Sequence, residues 1–196
     1  MAWAPAYVTP DDLKSYLYVG DTLDDVQLAS AAEAASRAVD EQCHRQFGKL
    51  DEPAPRRYTA RLECGRWVVD IDDLMSTTGL AVAVPAGPVM HELEPVNAAA
   101  DGRPWTRLVV AAGSPNMPSG ADHEVTVTAL WGWAAVPVAV KQATLLQASR
   151  FAARRQSPYG VAGSPSDGSE VRLLARVDPD VAVILAPYVR RQWVFA

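Results

Sequence analysis

Residues 53–133 read as β-strand while both flanks read as helix, and that order leaves few folds open. Proline and glycine recur through the middle stretch at Pro53, Pro55, Gly65, Gly79, Pro85, Gly87, Pro88, Pro95, Gly102, Pro104, Gly113, Pro115, Pro118 and Gly120. A helix interior does not accept them at that frequency, because proline lacks the N–H and glycine carries an entropic cost. Between these breaks lie short runs that alternate with period two. Trp67, Val69 and Ile71 share one strand face, and Leu80, Val82 and Val84 share another. Thr106–Val110 is a third run, and Val125, Val127, Ala129 and Trp131 form a fourth. Short strands punctuated this way predict a small antiparallel sandwich or barrel.

The flanks carry helix punctuation instead. Thr9-Pro10-Asp11-Asp12 is a start signal: Thr9 caps, Pro10 suits the first turn, and the acids favour the positive end of the helix dipole. A short helix to about Tyr18 is expected, broken at Gly20-Asp21-Thr22, with Thr22 capping a second helix that runs to about Gln46. Leu28, Ala32, Ala35, Val39 and Cys43 line the apolar face of that helix. Glu33, Arg37, Asp40 and Glu41 lie away from it, with Glu33–Arg37, Arg37–Glu41 and Glu41–Arg45 at ion-pair spacing. The alanine-rich face predicts close helix–helix packing, within one subunit or between subunits.

After Trp133, Pro137 opens a long helix at the position where a missing N–H costs nothing. Helical spacing puts Val138, Leu145 and Ala152 on one face, flanked by Leu146 and Ala153, with Gln147, Arg150 and Arg154 on another. Ser157-Pro158-Tyr159-Gly160 ends it and begins a polar, glycine-rich loop to Glu170 that is expected to lack regular structure. Asp178-Pro179-Asp180 starts a short helix through Val181, Ile184 and Leu185, stopped by Pro187, and Tyr188–Ala196 reads as an extended aromatic tail. The expected organisation is α+β: residues 1–52 and 134–196 are two halves of a helical bundle, and residues 53–133 are an inserted small antiparallel β domain.

Composition narrows the function classes. Hydrophobic residues make up 49% and charged residues 21%, as in an ordinary globular domain. No apolar run approaches the length of a membrane span, so no membrane association is expected. The first residues show no basic region followed by an apolar core, so no secretory signal is expected. Net charge is −5, unevenly spread: over 137–196 eight basic residues oppose four acidic ones, which leaves −9 for residues 1–136. Such asymmetry can orient a subunit against charged neighbours, although a solvated surface is the simpler reading.

Few residues promise chemistry. Asp70, Asp72 and Asp73 form an acidic group that could serve as a carboxylate pair or a divalent-metal site, or be acids at a strand–loop junction; no glycine-bearing calcium loop accompanies them. Cys43-His44 and Cys64 lack zinc or redox spacing and are expected as reduced thiols. His91 and His123 stand alone, and no phosphate-cradling glycine motif occurs. Trp131-Gly132-Trp133 could be a ligand platform, or a strand-to-helix junction filled by aromatics around a flexible glycine. Arg150, Arg154 and Arg155 could face nucleic acid, but no recognition-helix motif precedes them, and ion pairing between subunits accounts for them equally. No cofactor is expected.

Three segments resemble the head–tail connector (head-to-tail adaptor) proteins of long-tailed bacteriophages. The first is YVTPDDLKSYL, followed by a helix ending in SRAVDEQCHRQF, whose Cys43-His44-Arg45-Gln46-Phe47 matches a Cys-x-Arg-x-Phe ending. The second is the Trp133-to-Pro137 entry into VKQATLLQASRFAARRQSPYGVAG, and the third is VDPDVAVILAPYVR. With its larger β segment, the chain looks like the actinobacterial-phage type. The resemblance implies a connector-type fold and a non-enzymatic structural subunit in the virion neck, present in the host cytoplasm during assembly. It implies a homo-oligomeric ring, usually of twelve copies, that docks the portal protein and a stopper or tail-completion protein. Double-stranded DNA would pass through the channel without sequence-specific binding. On that footing Arg190, Arg191, Trp193 and Phe195 are expected to dock the portal. Ser157, Pro158, Tyr159 and Gly160 would face the tail or the channel. Lys141, Arg150 and Arg154 would pair with Glu33, Asp40 or Glu41 of an adjacent subunit. Another neck or tail-completion protein, a DNA-binding regulator and a hydrolase using Asp70–Asp73 stand as alternatives, in that order.

Overall fold

Period-two alternation becomes strand pairing in the computed structural model of the chain, which describes residues 4–20, 24–155, 161–162, 171–172 and 178–190. The chain divides into two compact units, one of Gly48–Ala135 and one of Ala4–Phe47 together with the chain from Val136 onward. The first contains β1 (Ala54–Tyr58), β2 (Arg61–Glu63), β3 (Arg66–Leu74), β4 (Ala81–Val84), β5 (Gly87–Pro88), β6 (His91–Glu94), β7 (Trp105–Val110) and β8 (Val125–Ala129). They form two antiparallel sheets of four strands, ordered β1-β8-β4-β5 and β2-β3-β7-β6. Val69 and Ile71 of β3 and Leu108 and Val110 of β7 share one core with Val82 and Val84 of β4 and Val125, Val127 and Ala129 of β8. Each valine, leucine or isoleucine among them, fully buried, contributes about 1.5–3 kcal/mol.

The ends of this unit close on each other. Leu50 N–H donates to the Trp131 carbonyl at 2.8 Å, and Trp133 N–H donates to the Gly48 carbonyl at 2.8 Å. Gly132 N–H donates to the Asp73 carbonyl, also at 2.8 Å, which ties the closure to the end of β3. Gly132 has φ +112°, and a Cβ there would lie 1.9 Å from the Gly48 carbonyl oxygen, so only glycine fits. Trp131 and Trp133 are buried on either side, and Trp133 Nε1–H donates to the buried Asp73 carboxylate at 2.8 Å. Trp131 Nε1–H reaches the Ala54 carbonyl at 2.7 Å, and the Arg56 guanidinium lies 4.9 Å from a Trp131 ring centroid. The Trp-Gly-Trp motif is a structural junction.

The second unit holds α1 (Pro10–Leu17), α2 (Asp25–Cys43), α3 (Val138–Arg155) and α4 (Pro179–Leu185), followed by a 3-10 turn over Ala186–Tyr188. Thr9 and Asp12 form a reciprocal capping box at the start of α1. α2 buries Leu28, Ala32, Ala35, Val39 and Cys43, together with Ser36. Its alanines let α3 pack closely, and Leu13, Leu28, Ala35 and Ala148 form a core that joins α1, α2 and α3. α4 covers another side, placing Val181 and Leu185 against Ala38, Val39, Gln42 and Gln147.

Several expectations are corrected. α2 stops at Cys43 rather than Gln46, because His44 turns into the left-handed region at φ +51°. Its N-cap position is Asp24, and Thr22 lies outside the described residues. The face of α3 is rotated: Val138 is 84% exposed, whereas Val140, Ala143, Thr144, Gln147 and Ala148 are buried. Packing by α2 and α4 from neighbouring directions requires a broad buried face, and small or polar residues fill it without crowding. Within the stretch expected to lack structure lies β9 (Val161–Ala162), which pairs antiparallel with β10 (Val171–Arg172) just beyond that stretch. Four strands beyond the four alternating runs appear, β1, β2, β5 and β6, all at sheet edges, where few buried faces force a hydrophobic pattern.

Gly132→Ala should cost at least about 4 kcal/mol or prevent folding, since the clash is with backbone. Gly113→Ala, whose Cβ would meet open space, should stay within about 1 kcal/mol of the parent. Thermal denaturation of both variants checks this; equal effects would overturn the assigned role of Gly132.

Candidate functional site

The acids Asp70, Asp72 and Asp73 are committed to structural partners. Asp70, Asp72 and Asp73 lie within β3, so period two places Asp70 and Asp72 on one side and Asp73 on the other. Asp70 pairs with Arg61 and, at 3.3 Å, with Arg107, whose guanidinium also meets Glu63 at 2.7 Å. Asp72 pairs with Arg56 at 2.5 Å and accepts from the Tyr58 hydroxyl at 2.8 Å. Asp73 accepts from Trp133 as above. The pairs around Asp70 are partly exposed and each contributes no more than about 1 kcal/mol, but together they brace β2, β3 and β7. No cluster of three potential ligands suited to a metal ion occurs among the described residues.

The thiols and imidazoles are also dispersed. Cys43 is buried and its thiol is pushed up to about 12, chiefly by burial, while Cys64 is exposed at φ +50°. His44 and His123 sit in left-handed backbone positions, and His91 lies on β6. These positions serve turns and strand pairing.

Surfaces therefore become the candidate site, and the helical unit builds them on a buried polar anchor. Tyr7 N–H donates to Ser36 Oγ at 2.9 Å, and the Tyr7 hydroxyl donates to the Asp40 carboxylate. Phe47 N–H in turn donates to the Tyr7 hydroxyl at 2.9 Å, so one ring ties the segment before α1 to both α2 and the residue beyond it. Arg37 donates to the carbonyls of Ala4 and Pro5, each at 2.7 Å, and contacts Asp40 at 3.3 Å. It thus leaves the spacing that would pair it with Glu33 or Glu41, because an exposed ion pair gains little while a carbonyl left unmet in a packed segment is costly. Tyr7 and Tyr188 both pack edge-on against Phe47, with centroids 5.8 and 5.9 Å away.

The sequence-derived assembly residues distribute as follows. Glu33, Glu41 and Lys141 are exposed. Asp40 is turned inward onto Tyr7 and Arg37, and burial is the main cause that raises its pKa. Arg150 is ion-paired with Asp178, the cap of α4, and Arg154 is half-buried. Asp40 and Arg150 are thus engaged within the chain. Arg190 is half-buried, and its N–H donates to the Cys43 carbonyl at the C-terminal end of α2 at 2.8 Å. Arg191, Trp193, Phe195, Ser157, Pro158, Tyr159 and Gly160 lie outside the described residues.

A feature that no sequence pattern announced is a groove of about 690 Å³ on the helical unit. Its walls include Leu17 and Val19, Leu28 and Ala31 of α2, and Phe151 and Ala152 of α3. Tyr18, 96% exposed, and Val26, 80% exposed, are sequence neighbours of its wall residues. The alanine spacing of α2 hinted at a close approach, but which stretch of that face stays uncovered depends on where α1, α3 and α4 end.

Solved structures share this architecture over its whole length. A chain from the neck of a native gene transfer agent particle, computed with C12 symmetry, superposes with a TM-score of 0.56 at 19% identity, covering 100% of this chain and 96% of that one. A chain from the neck of the empty particle, computed with C6 symmetry, matches with the same values. A chain from the virion of the native particle matches with a TM-score of 0.55 at 21% identity and the same coverage. At these identities the likeness establishes the fold. No protein-family model matches the chain, and no curated protein matches it.

Burial first, and then the bond to Asp40, push the Tyr7 hydroxyl well above the ordinary tyrosine range. Its folded pKa exceeds the unfolded value, so its stabilisation is complete below about pH 10 and is lost as pH rises beyond that. Tyr7→Phe should cost about 1–3 kcal/mol at neutral pH by removing the buried hydroxyl that donates to Asp40 and accepts from the Phe47 N–H. It should also lose less stability than the parent above about pH 10, with a residual loss from Tyr58, whose pKa burial likewise raises. Urea titrations across that range check both; identical alkaline losses in parent and variant would overturn the assignment.

Proposed function

We propose that this chain is a structural subunit of a phage-type virion neck, a head–tail connector that assembles into a ring around the path of the DNA. The observation that carries the reading is the full-length likeness to a chain from the neck of a gene transfer agent particle computed with C12 symmetry. The three connector-like segments of the sequence support it independently.

In this reading copies of the helical unit contact one another around the ring, and exposed Glu33, Glu41 and Lys141 are the charges available at subunit boundaries. The tail from Arg190 onward reaches the portal, with Arg191, Trp193 and Phe195 as its basic and aromatic contacts. Ser157–Gly160 faces the next tail component or the channel. Aromatic and arginine side chains dominate binding at most protein interfaces, which is why the tail, rather than the polar loop, is assigned to the portal.

Imaging of the purified chain, alone and with the portal protein of the same genome, tests the ring. Closed rings of about twelve copies, free or stacked on the portal, are the expected outcome. Particles that stay monomeric beside assembled portal would count against the connector. Deletion of residues 188–196 should weaken portal binding at least about tenfold, a loss of about 1.4 kcal/mol. Undiminished binding in a pull-down titration would show that the tail is not the docking element.

A further inference from the structure

We propose that α4 and the turn after it form a strap that lifts from α2 and α3 as one unit while the rest of the helical unit stays folded, and that Gln147 sets how readily it lifts. One buried polar atom left unmet points to this. α2 and α3 bury the polar side chains of Ser36, Thr144 and Gln147. Ser36 Oγ donates to the Ala32 carbonyl at 2.7 Å and accepts from the Tyr7 N–H. The Thr144 hydroxyl donates to the Val140 carbonyl at 2.8 Å. Gln147 is 7% exposed, and its Oε1 is enclosed with no hydrogen-bond partner among the described residues. Around it stand Ala38, Val39 and Gln42 of α2 and Val181 and Leu185 of α4, and the gap between them is too narrow to admit a water molecule. Gln42 is the polar neighbour there, and it leaves Oε1 unmet.

Closing α4 over Gln147 therefore strips an amide oxygen of water and returns no bond for it. The cost falls on this one docking step, because Val181 and Leu185 form the α4 wall of the enclosure, and lifting them restores water while α2 and α3 stay together. The seat has little to set against that cost. α4 has seven residues, too few for a helix to be stable on its own. Within it only Val181 and Leu185 are buried, whereas Pro179, Asp180 and Val183 face water. Attachments at its two ends add to the hold. Asp178 caps α4 and pairs with Arg150, and past the turn Tyr188 packs edge-on against Phe47 while the Arg190 N–H reaches the Cys43 carbonyl. One short continuous stretch carries all of these contacts, so they are made and lost together. α1, α2 and α3, by contrast, share the core of Leu13, Leu28, Ala35 and Ala148, which α4 does not enter. The strap leads into the tail assigned above to the portal, so its opening frees residues 178–190 to move with that tail; the opening itself does not depend on that assignment.

Native-state hydrogen exchange on the free full-length chain tests this and needs neither ring nor portal. The amides of Ala182 to Ala186 and of Arg190 should share one protection factor, at least about a hundredfold below that of Ala35 and Val39 in α2. Gln147→Leu puts an apolar group of similar size beneath α4, so closing no longer strands an oxygen. Exchange at Ala182–Ala186 and Arg190 should then slow at least about tenfold. Gln147→Met should slow it likewise, which keeps the result independent of how a branched side chain packs there. Strap amides as well protected as those of α2 would overturn the strap. Protection at Arg190 that differs from that of Ala182–Ala186 would overturn release as one unit. Exchange in both variants as fast as in the parent, or faster, would overturn the role of Gln147.

Discussion

Gly132 lies so close to the Gly48 carbonyl that no side chain can stand between them, and the β unit closes through that approach. An insertion of this length must return the chain near to where it left, or the helical half that follows cannot resume. Here the return is within one hydrogen bond: Trp133 N–H meets the Gly48 carbonyl, and Leu50 N–H meets the Trp131 carbonyl. Asp73, at the end of the longest strand, holds both Gly132 and Trp133, so the closure is tied to the interior of the β unit. A carboxylate accepting from a buried indole is stronger than a neutral bond, by roughly a factor of two, which suits it to a junction that has to persist.

The helical unit solves a related problem at its own entrance. Its first described residues have no sheet to join, so their polar groups are met by side chains of α2: Ser36 takes the Tyr7 N–H, and Arg37 takes the carbonyls of Ala4 and Pro5. Tyr7 then reaches Asp40 and the Phe47 N–H, and Phe47 receives Tyr188 from the far end of the chain. Two distant segments are thereby secured on one aromatic cluster. Arg37 and Asp40 are occupied by this work, and Arg150 is occupied by Asp178 at the start of α4. Glu33, Glu41 and Lys141 stay exposed.

The parts of this fold that were legible in the sequence share a cause: each is determined by neighbours within a few residues. The Thr9–Asp12 capping box, the Asp178 cap, the apolar face of α2 and the inward alternation of β3, β4, β7 and β8 all belong to that class. The short edge strands were not legible, since β5 has two residues and β2 has three, too few to show a period. The face of α3 was misjudged because Val138 looks apolar while Gln147 and Thr144 look polar, yet the last two are buried. A helix contacted by both α2 and α4 is ordered by its neighbours more than by its own stripe of hydrophobicity. The groove was invisible for the same reason, since it is bounded by the ends of three elements.

The sequence by itself determined where the main helices begin, where the four inner strands β3, β4, β7 and β8 run, and that the acidic group on β3 lacks the loop chemistry of a metal site. Capping, proline placement and residue alternation act over a turn of helix or a pair of strand residues, and that range can be read along the chain. Only the tertiary structure decided which acids and arginines are consumed internally, which face of α3 is buried, and where the groove lies. Those outcomes depend on pairs far apart in sequence, such as Tyr7 with Asp40, Asp73 with Trp133 and Arg150 with Asp178. A side chain selects among such partners only once packing has brought them within a few ångströms and removed the competing water.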